Sequence, residues 1–144
     1  MAVKVYKKNN AGRRNMSIVR TELVTDKKPE KSLLAHRIRK SGRSNGKISV
    51  RHQGGGHKKR YRVVDFKQNK IGIPGKILAI EKDPNRSAFI ALVVYRDGEK
   101  RYILASEGME TGKEIICAPD APVELGNRAM IKNIPVGTIV SNVE

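Results

Sequence analysis

The chain has 144 residues, a net charge of +16 and a pI of about 10.3. That length fits one domain or a small domain with extensions, and the charge points to a polyanionic partner rather than a neutral small substrate. One cysteine, Cys117, can build neither a disulfide framework nor a thiolate metal site, and no apolar run reaches the roughly 18 residues of a membrane-spanning helix.

The charge is unevenly placed. Residues 1–70 carry 21 Lys and Arg against 4 Asp and Glu, whereas residues 71–144 carry 9 against 10. All the basic excess therefore lies in the first half, while most long aliphatic runs lie after Tyr61. The division predicts a basic extension over residues 1–59, a packed domain over 60–124 and the start of a further region over 125–144. The lone cysteine in an apolar context makes a reducing compartment the default.

In chain order, Val3 to Tyr6 reads as a short strand and Asn9 to Asn15 as a basic loop. The first 20 residues are acid-free, as in an organelle transit peptide, but lack the apolar periodicity of an amphipathic helix. Leu34 and Ile38 stand at i, i+4 and predict one or two helical turns ended by Gly42. Arg37 to Arg62 then holds ten Lys or Arg, two His, five Gly and no acid. Such a stretch cannot bury a core, and its charges repel unless a polyanion lies among them.

From Tyr61 the pattern turns to strands: Tyr61–Phe66, Ile77–Glu81, Ala88–Tyr95, Lys100–Leu104 and Glu114–Ala118. Asp83-Pro84-Asn85-Arg86 reads as a turn and Asp97-Gly98 as a hairpin signal. Five short strands in about sixty residues predict an all-β fold, a small closed five-stranded barrel of the OB type. Pro119 to Asn127 reads as a linker, and Ile134 to Val140 as the opening of another strand-like region.

Gly42-Arg43-Ser44-Asn45-Gly46-Lys47-Ile48 fails the phosphate-loop pattern in both spacing and final residue, and no helix-like period follows either glycine cluster. His36, His52 and His57 match no zinc spacing, so neither metal nor other cofactor is expected. His52 and His57 with Lys58 could be read as an acid–base set for RNA cleavage, but in so basic a segment they read better as donors to phosphate. Aromatic residues are scarce, which favours contact with phosphate, sugar and RNA shape over stacking.

Arg51-His52-Gln53-Gly54-Gly55-Gly56-His57-Lys58-Lys59-Arg60-Tyr61-Arg62 with Asp65-Phe66 resembles the signature of the large-subunit ribosomal protein two family in its bacterial form. Similar matches occur in order at Lys28–Leu34, Glu81–Ala88, Tyr95–Ala105 and Asn133–Thr138. The resemblance implies a non-enzymatic ribosomal RNA-binding protein in which a threading extension precedes an OB-type barrel. A second, SH3-like barrel and a basic tail near the peptidyl transferase region would follow. It implies roles in large-subunit assembly and subunit joining, in the cytoplasm of a bacterium or in an organelle.

The chain stops where the family's second barrel begins, which leads to the expectation of a fragment or of a separate chain supplying the rest. Ser141-Asn142 stands where a His-Asn pair is usual. Partners on this reading are large-subunit ribosomal RNA and neighbouring ribosomal proteins, with no membrane. Arg37, Arg39, Lys40, Arg43, Lys47, Arg51, Lys58, Lys59, Arg60 and Arg62 are expected to neutralise phosphates, and His52 and His57 to donate hydrogen bonds. Gly54, Gly55 and Gly56 would let the backbone lie against RNA. Lys7, Arg13 and Arg14 would extend the footprint, and Arg86 and Arg101 add contacts from the barrel. The rival reading is a free-standing regulator that binds DNA or messenger RNA through the same arm.

Overall fold

The computed structural model describes residues 3–19, 24–35, 41–55 and 57–143. The fold is all-β, with a curled antiparallel sheet of the OB type and, among the described residues, helical structure limited to three single 3-10 turns. The chain opens with β1 (Val3–Val5) and β2 (Ser17–Val19), which pair antiparallel as a hairpin. β3 (Leu34–Ala35) pairs with β6 (Tyr61–Arg62), and β4 (Arg43–Ser44) with β5 (Lys47–Ile48). The main sheet runs β10-β7-β8-β9, from β7 (Gly75–Lys82), β8 (Phe89–Tyr95), β9 (Lys100–Leu104) and β10 (Glu114–Ile115). Among the described residues no helix is long and apolar enough to cross a membrane.

β8 is the spine of the core. Alternate residues of a strand face opposite sides of its sheet. Ala91, Val93 and Tyr95 join Ile77, Ile80, Ile103, Met109 and Ile115 in one cluster. Ile90 and Leu92 join Val64, Ala79 and Tyr102 in a second. Both faces of β8 are thus covered, which is why its sequence is a continuous apolar run instead of an alternating one. Each large aliphatic side chain so buried contributes about 1.5–3 kcal/mol. A register shift between Ile77 and Ala79 turns Leu78 outward, so that Ile77 and Ile80 still reach the same cluster.

The sheet curls because later and earlier segments add to its edges. Val64 bridges Tyr102 in parallel, and Asp65 N–H donates to the Tyr102 carbonyl at 2.8 Å. Ile71 bridges Cys117, and Gly72 N–H donates to the Cys117 carbonyl at 2.8 Å. The segment 24–35 straps the outside. Thr25 N–H donates to the Ile80 carbonyl at 2.9 Å, and Leu33 packs on the second cluster.

Four expected elements differ. Leu34 belongs to β3, and the turn before it is 3-10 (Lys31–Leu33) rather than α; Ile38 lies outside the described residues. Pairing with β6 satisfies the backbone that the i, i+4 spacing assigned to a helix. The expected strand 61–66 narrows to Tyr61–Arg62 plus the Val64 bridge, and Glu114–Ala118 narrows to Glu114–Ile115 plus the Cys117 bridge. Residues 134–140, expected to open a strand, carry none. Among the described residues no strand lies beside them, and a lone strand leaves its ladder unpaired.

One buried polar chain ties strap to sheet. Tyr102 Oη accepts from Glu30 N–H at 2.9 Å and donates to both Glu81 carboxylate oxygens at 3.0 and 3.1 Å. Burial pushes the Tyr102 phenol up to about 12. Tyr102→Phe strands a buried carboxylate and an amide, so a loss of about 1–3 kcal/mol is expected. Urea denaturation of the two proteins measures it; unchanged stability would mean that the phenol is not the anchor.

Burial also raises the Glu81 carboxyl above its ordinary value of 4.5, against the opposing pull of the Tyr102 hydrogen bond and the Arg62 charge. The folded state therefore holds this proton more tightly than the unfolded chain. The resulting contribution is fully present below 4.5 and is lost as pH rises through the raised folded value. Glu81→Gln keeps an acceptor for Tyr102 but removes the titration. Relative to that variant, the native protein is expected to gain stability as pH falls across this window. Parallel stability–pH curves for the two proteins would contradict it.

Candidate nucleic-acid interface

Arg43, Lys47, Arg51 and His52 stand on a folded lobe, not on irregular chain. Asn45 and Gly46 both have positive φ, 48° and 74°, and close β4 and β5 as a two-residue hairpin. The Gly42 carbonyl accepts from Ser49 N–H at 2.8 Å, Val50 N–H at 2.9 Å and Ser49 Oγ at 3.0 Å. A side chain at Gly42 would place Cβ 2.3 Å from the Val50 carbonyl oxygen, at a backbone φ of +66°. At the far end Gly54, φ +94°, lies against Ser41, where a Cβ would be 3.2 Å from the carbonyl. The two glycines form the neck of a lobe over residues 41–54. His52 adopts φ 62°, an uncommon conformation for a residue with a side chain.

All four of these side chains are exposed, as are His57, Lys58, Lys59, Arg60, Gly54 and Gly55. The sequence supplies no carboxylate between Glu30 and Asp65. Arg37, Arg39, Lys40 and Gly56 lie outside the described residues, as does His36. The first hairpin presents a second basic surface. Asn10 Oδ1 caps its 3-10 turn by accepting from Arg13 N–H at 2.9 Å, and Lys4 and Arg13 lie 5.3 and 5.7 Å from the Tyr6 ring centroid. Lys7 and Arg14 are exposed beside them.

Three expected contact residues have partners inside the protein. Arg62 is only 8% exposed; its Nη1 donates to the Arg60 carbonyl at 3.2 Å and lies 3.9 Å from Asp83 Oδ1. Arg101 donates to Glu99 through Nε and to Asp65 through Nη1, both at 2.7 Å, and to Asn69 at 2.6 Å. The two carboxylates, Glu99 first and then Asp65, raise its guanidinium above its ordinary value. Arg86 Nε donates to Asp83 Oδ2 at 2.7 Å, and the guanidinium lies 5.7 Å from the Phe66 ring centroid. All three thus lie beside a carboxylate of the protein itself. Arg86 is anchored by one nitrogen and oriented by a ring.

The sequence reading missed the residue behind this arrangement. Asp83 is fully buried, and its carboxylate also accepts from Asn85 N–H at 2.9 Å and Asn85 Nδ2 at 3.2 Å. Asn85 Nδ2 in turn lies 3.2 Å from the Arg60 carbonyl. The turn 83–86 thus grips the end of the basic stretch and fixes where it leaves the barrel. The available signal was an Asp-Pro-Asn-Arg turn, whose carboxylate reads from the sequence as a solvated surface group and is instead enclosed.

An exposed, carboxylate-free basic lobe attached to a curled β-sheet is the kind of surface that marks a nucleic-acid-binding protein. The chain matches the family model described as Ribosomal Proteins L2, RNA binding N-terminal domain, over residues 30–117. It belongs to that ribosomal protein family, and its role is structural binding of ribosomal RNA in the ribosome. The first hairpin and residues 118–144 lie outside the matched span.

Gly42→Ala tests whether the lobe is a separate folded unit. The added Cβ forces Val50 away, so trypsin is expected to cut at Arg43, Lys47 and Arg51 several-fold faster, while the thermal midpoint of the barrel stays unchanged. A fall in the midpoint would instead tie the lobe to the core.

Proposed function

We propose that the protein is a structural constituent of the large ribosomal subunit. On this reading it binds large-subunit ribosomal RNA through its basic Gly- and His-containing segment, contacts neighbouring ribosomal proteins, and supports subunit assembly, subunit association and formation of the peptidyl transferase region. The observation that carries the reading is the contrast between two sets of cations. Those of the lobe are exposed and far in sequence from any carboxylate, while those of the barrel are held by Asp65, Asp83 and Glu99.

Binding requires no reaction. Arg43, Lys47, Arg51, Lys58, Lys59 and Arg60 neutralise phosphates, with Lys7, Arg13 and Arg14 widening the footprint. Arg37, Arg39 and Lys40 add to the same stretch. His52 and His57 donate hydrogen bonds, and Gly54, Gly55 and Gly56 admit close backbone approach. Arg86 adds an oriented guanidinium at the barrel edge, and Arg62 and Arg101 support the surface from beneath. The lobe is preformed, so binding costs less ordering entropy than threading a free chain would.

With about six to ten phosphates engaged, affinity is expected to fall by roughly three to five decades between 50 and 200 mM salt. Filter binding of the chain to transcribed large-subunit ribosomal RNA, with duplex DNA as competitor, measures this. Sedimentation of a lysate through a sucrose gradient supplies the cellular arm. Migration with the large subunit, released by high salt or RNase, fits the reading. A flat salt dependence, or equal affinity for duplex DNA at physiological salt, would overturn it.

A further inference from the structure

We infer that the lobe over residues 41–54 also carries an apolar contact for an unstacked RNA base, made by Ile48 and Val50; this deepens the ribosomal RNA reading and rests on it. Ile48 is 67% exposed and Val50 50% exposed. Scattered apolar residues on a surface need no explanation. These two are within two residues of each other, in a lobe whose other long side chains are cationic or amide-bearing, and neither belongs to either core cluster.

The ladder fixes what surrounds Ile48. It stands directly opposite Arg43 across the β4–β5 pair, so the two side chains share one face, while Ser44 and Lys47 share the other. An aliphatic platform therefore lies beside a guanidinium on a rigid two-residue hairpin. A protein partner would have to offset this lobe's charge with its own carboxylates. RNA brings phosphates and apolar base faces together on one strand. Aliphatic side chains recur in nucleic-acid complexes as wedges against base steps, and sequence-specific contacts to RNA fall mostly on loops and bulges with unstacked bases.

The residue types suit that task. Ile and Val are β-branched and stiff at χ1, so holding them against a base costs little rotamer entropy. The Gly42 and Gly54 neck fixes the backbone beneath them. The chain has no Trp and only two Phe, so aliphatic groups take the place that aromatic platforms fill elsewhere. The ligand class is thus a looped-out or bulged nucleotide of structured ribosomal RNA, its base against Ile48 and Val50 and its phosphate on Arg43, with Lys47 and Arg51 left for neighbouring phosphates.

The experiment compares three forms of the whole chain on transcribed large-subunit ribosomal RNA over a series of salt concentrations. They are the native protein, Ile48→Ala/Val50→Ala, and Arg43→Ala/Lys47→Ala/Arg51→Ala. The apolar pair is expected to lower affinity by about tenfold at every salt concentration, giving a line parallel to the native one, because apolar burial releases no counterions. The basic triple is expected to flatten the line by roughly two to three units of slope. Ile48→Leu is expected to retain most of the affinity. Chemical probing should show one unpaired base shielded by the native protein and exposed with the apolar variant.

If the apolar variant binds as tightly as the native protein, the base contact is refuted while the phosphate reading stands. If it changes the slope, the substitution has disturbed the lobe's charges and the inference fails as well. If the basic triple leaves the slope unchanged, the lobe is not the phosphate-binding element and both readings of it fall.

Discussion

A carboxylate with no exposure to solvent, Asp83, joins the two halves of this protein. Burying a charge is costly unless hydrogen bonds and a counterion accompany it. Asp83 has both: the Asn85 backbone and side chain, Arg86 at 2.7 Å and Arg62 at 3.9 Å. Because Asn85 and Arg62 also hold the Arg60 carbonyl, the same cluster fixes the exit of the basic stretch. Without it the barrel would still have its two-sided β8 core, but the cations that follow Gly54 would be held at their exit by the β3–β6 pair without the Arg60 anchor. The Tyr102–Glu81 pair plays the matching part for the strap, receiving Glu30 N–H at the opposite end of the acid-free region.

Between those anchors the chain cannot fold by burying apolar area, and it uses local backbone chemistry instead. The lobe is closed by hydrogen bonds to one carbonyl, that of Gly42, and by left-handed residues at 42, 45, 46, 52 and 54. None of these interactions is large. Together they place Arg43, Lys47 and Arg51 at fixed separations despite mutual repulsion. A free arm would lose that entropy only on meeting RNA.

Much of the barrel was legible in the sequence. β9 runs from Lys100 to Leu104 as expected, and β8 was marked by an apolar run too short for a typical helix. Those signals come from burial, which leaves its pattern in residue type. The lobe was less legible, although Asn45-Gly46 between two short extended pairs is a strong hairpin dipeptide. Its neighbours are polar or charged, so no alternation drew attention to it, and the glycines were weighed against a phosphate-loop pattern. The helix suggested by Leu34 and Ile38 failed for a related reason: spacing over five residues cannot reveal that Leu34 has a strand partner 28 positions away. Asp83 and Tyr102 were hidden because their partners come from distant turns and strands.

The division of labour among the arginines follows from where the carboxylates lie. Arg62 and Arg101 belong to the same residue type as Arg43 and Arg51, and three of the four, all but Arg101, stand in the same basic run. What separates them is that Asp83, Asp65 and Glu99 are brought within reach of the first two, whereas residues 31–64 contain no acid at all. A paired guanidinium has its charge balanced and some of its donors taken, and it stiffens the scaffold. An unpaired one on a rigid lobe keeps both for an incoming phosphate. The omission of acids from that stretch, as much as the presence of its cations, therefore suits it to the proposed contact with RNA, and Asp83 can be buried at its border without cancelling its charge.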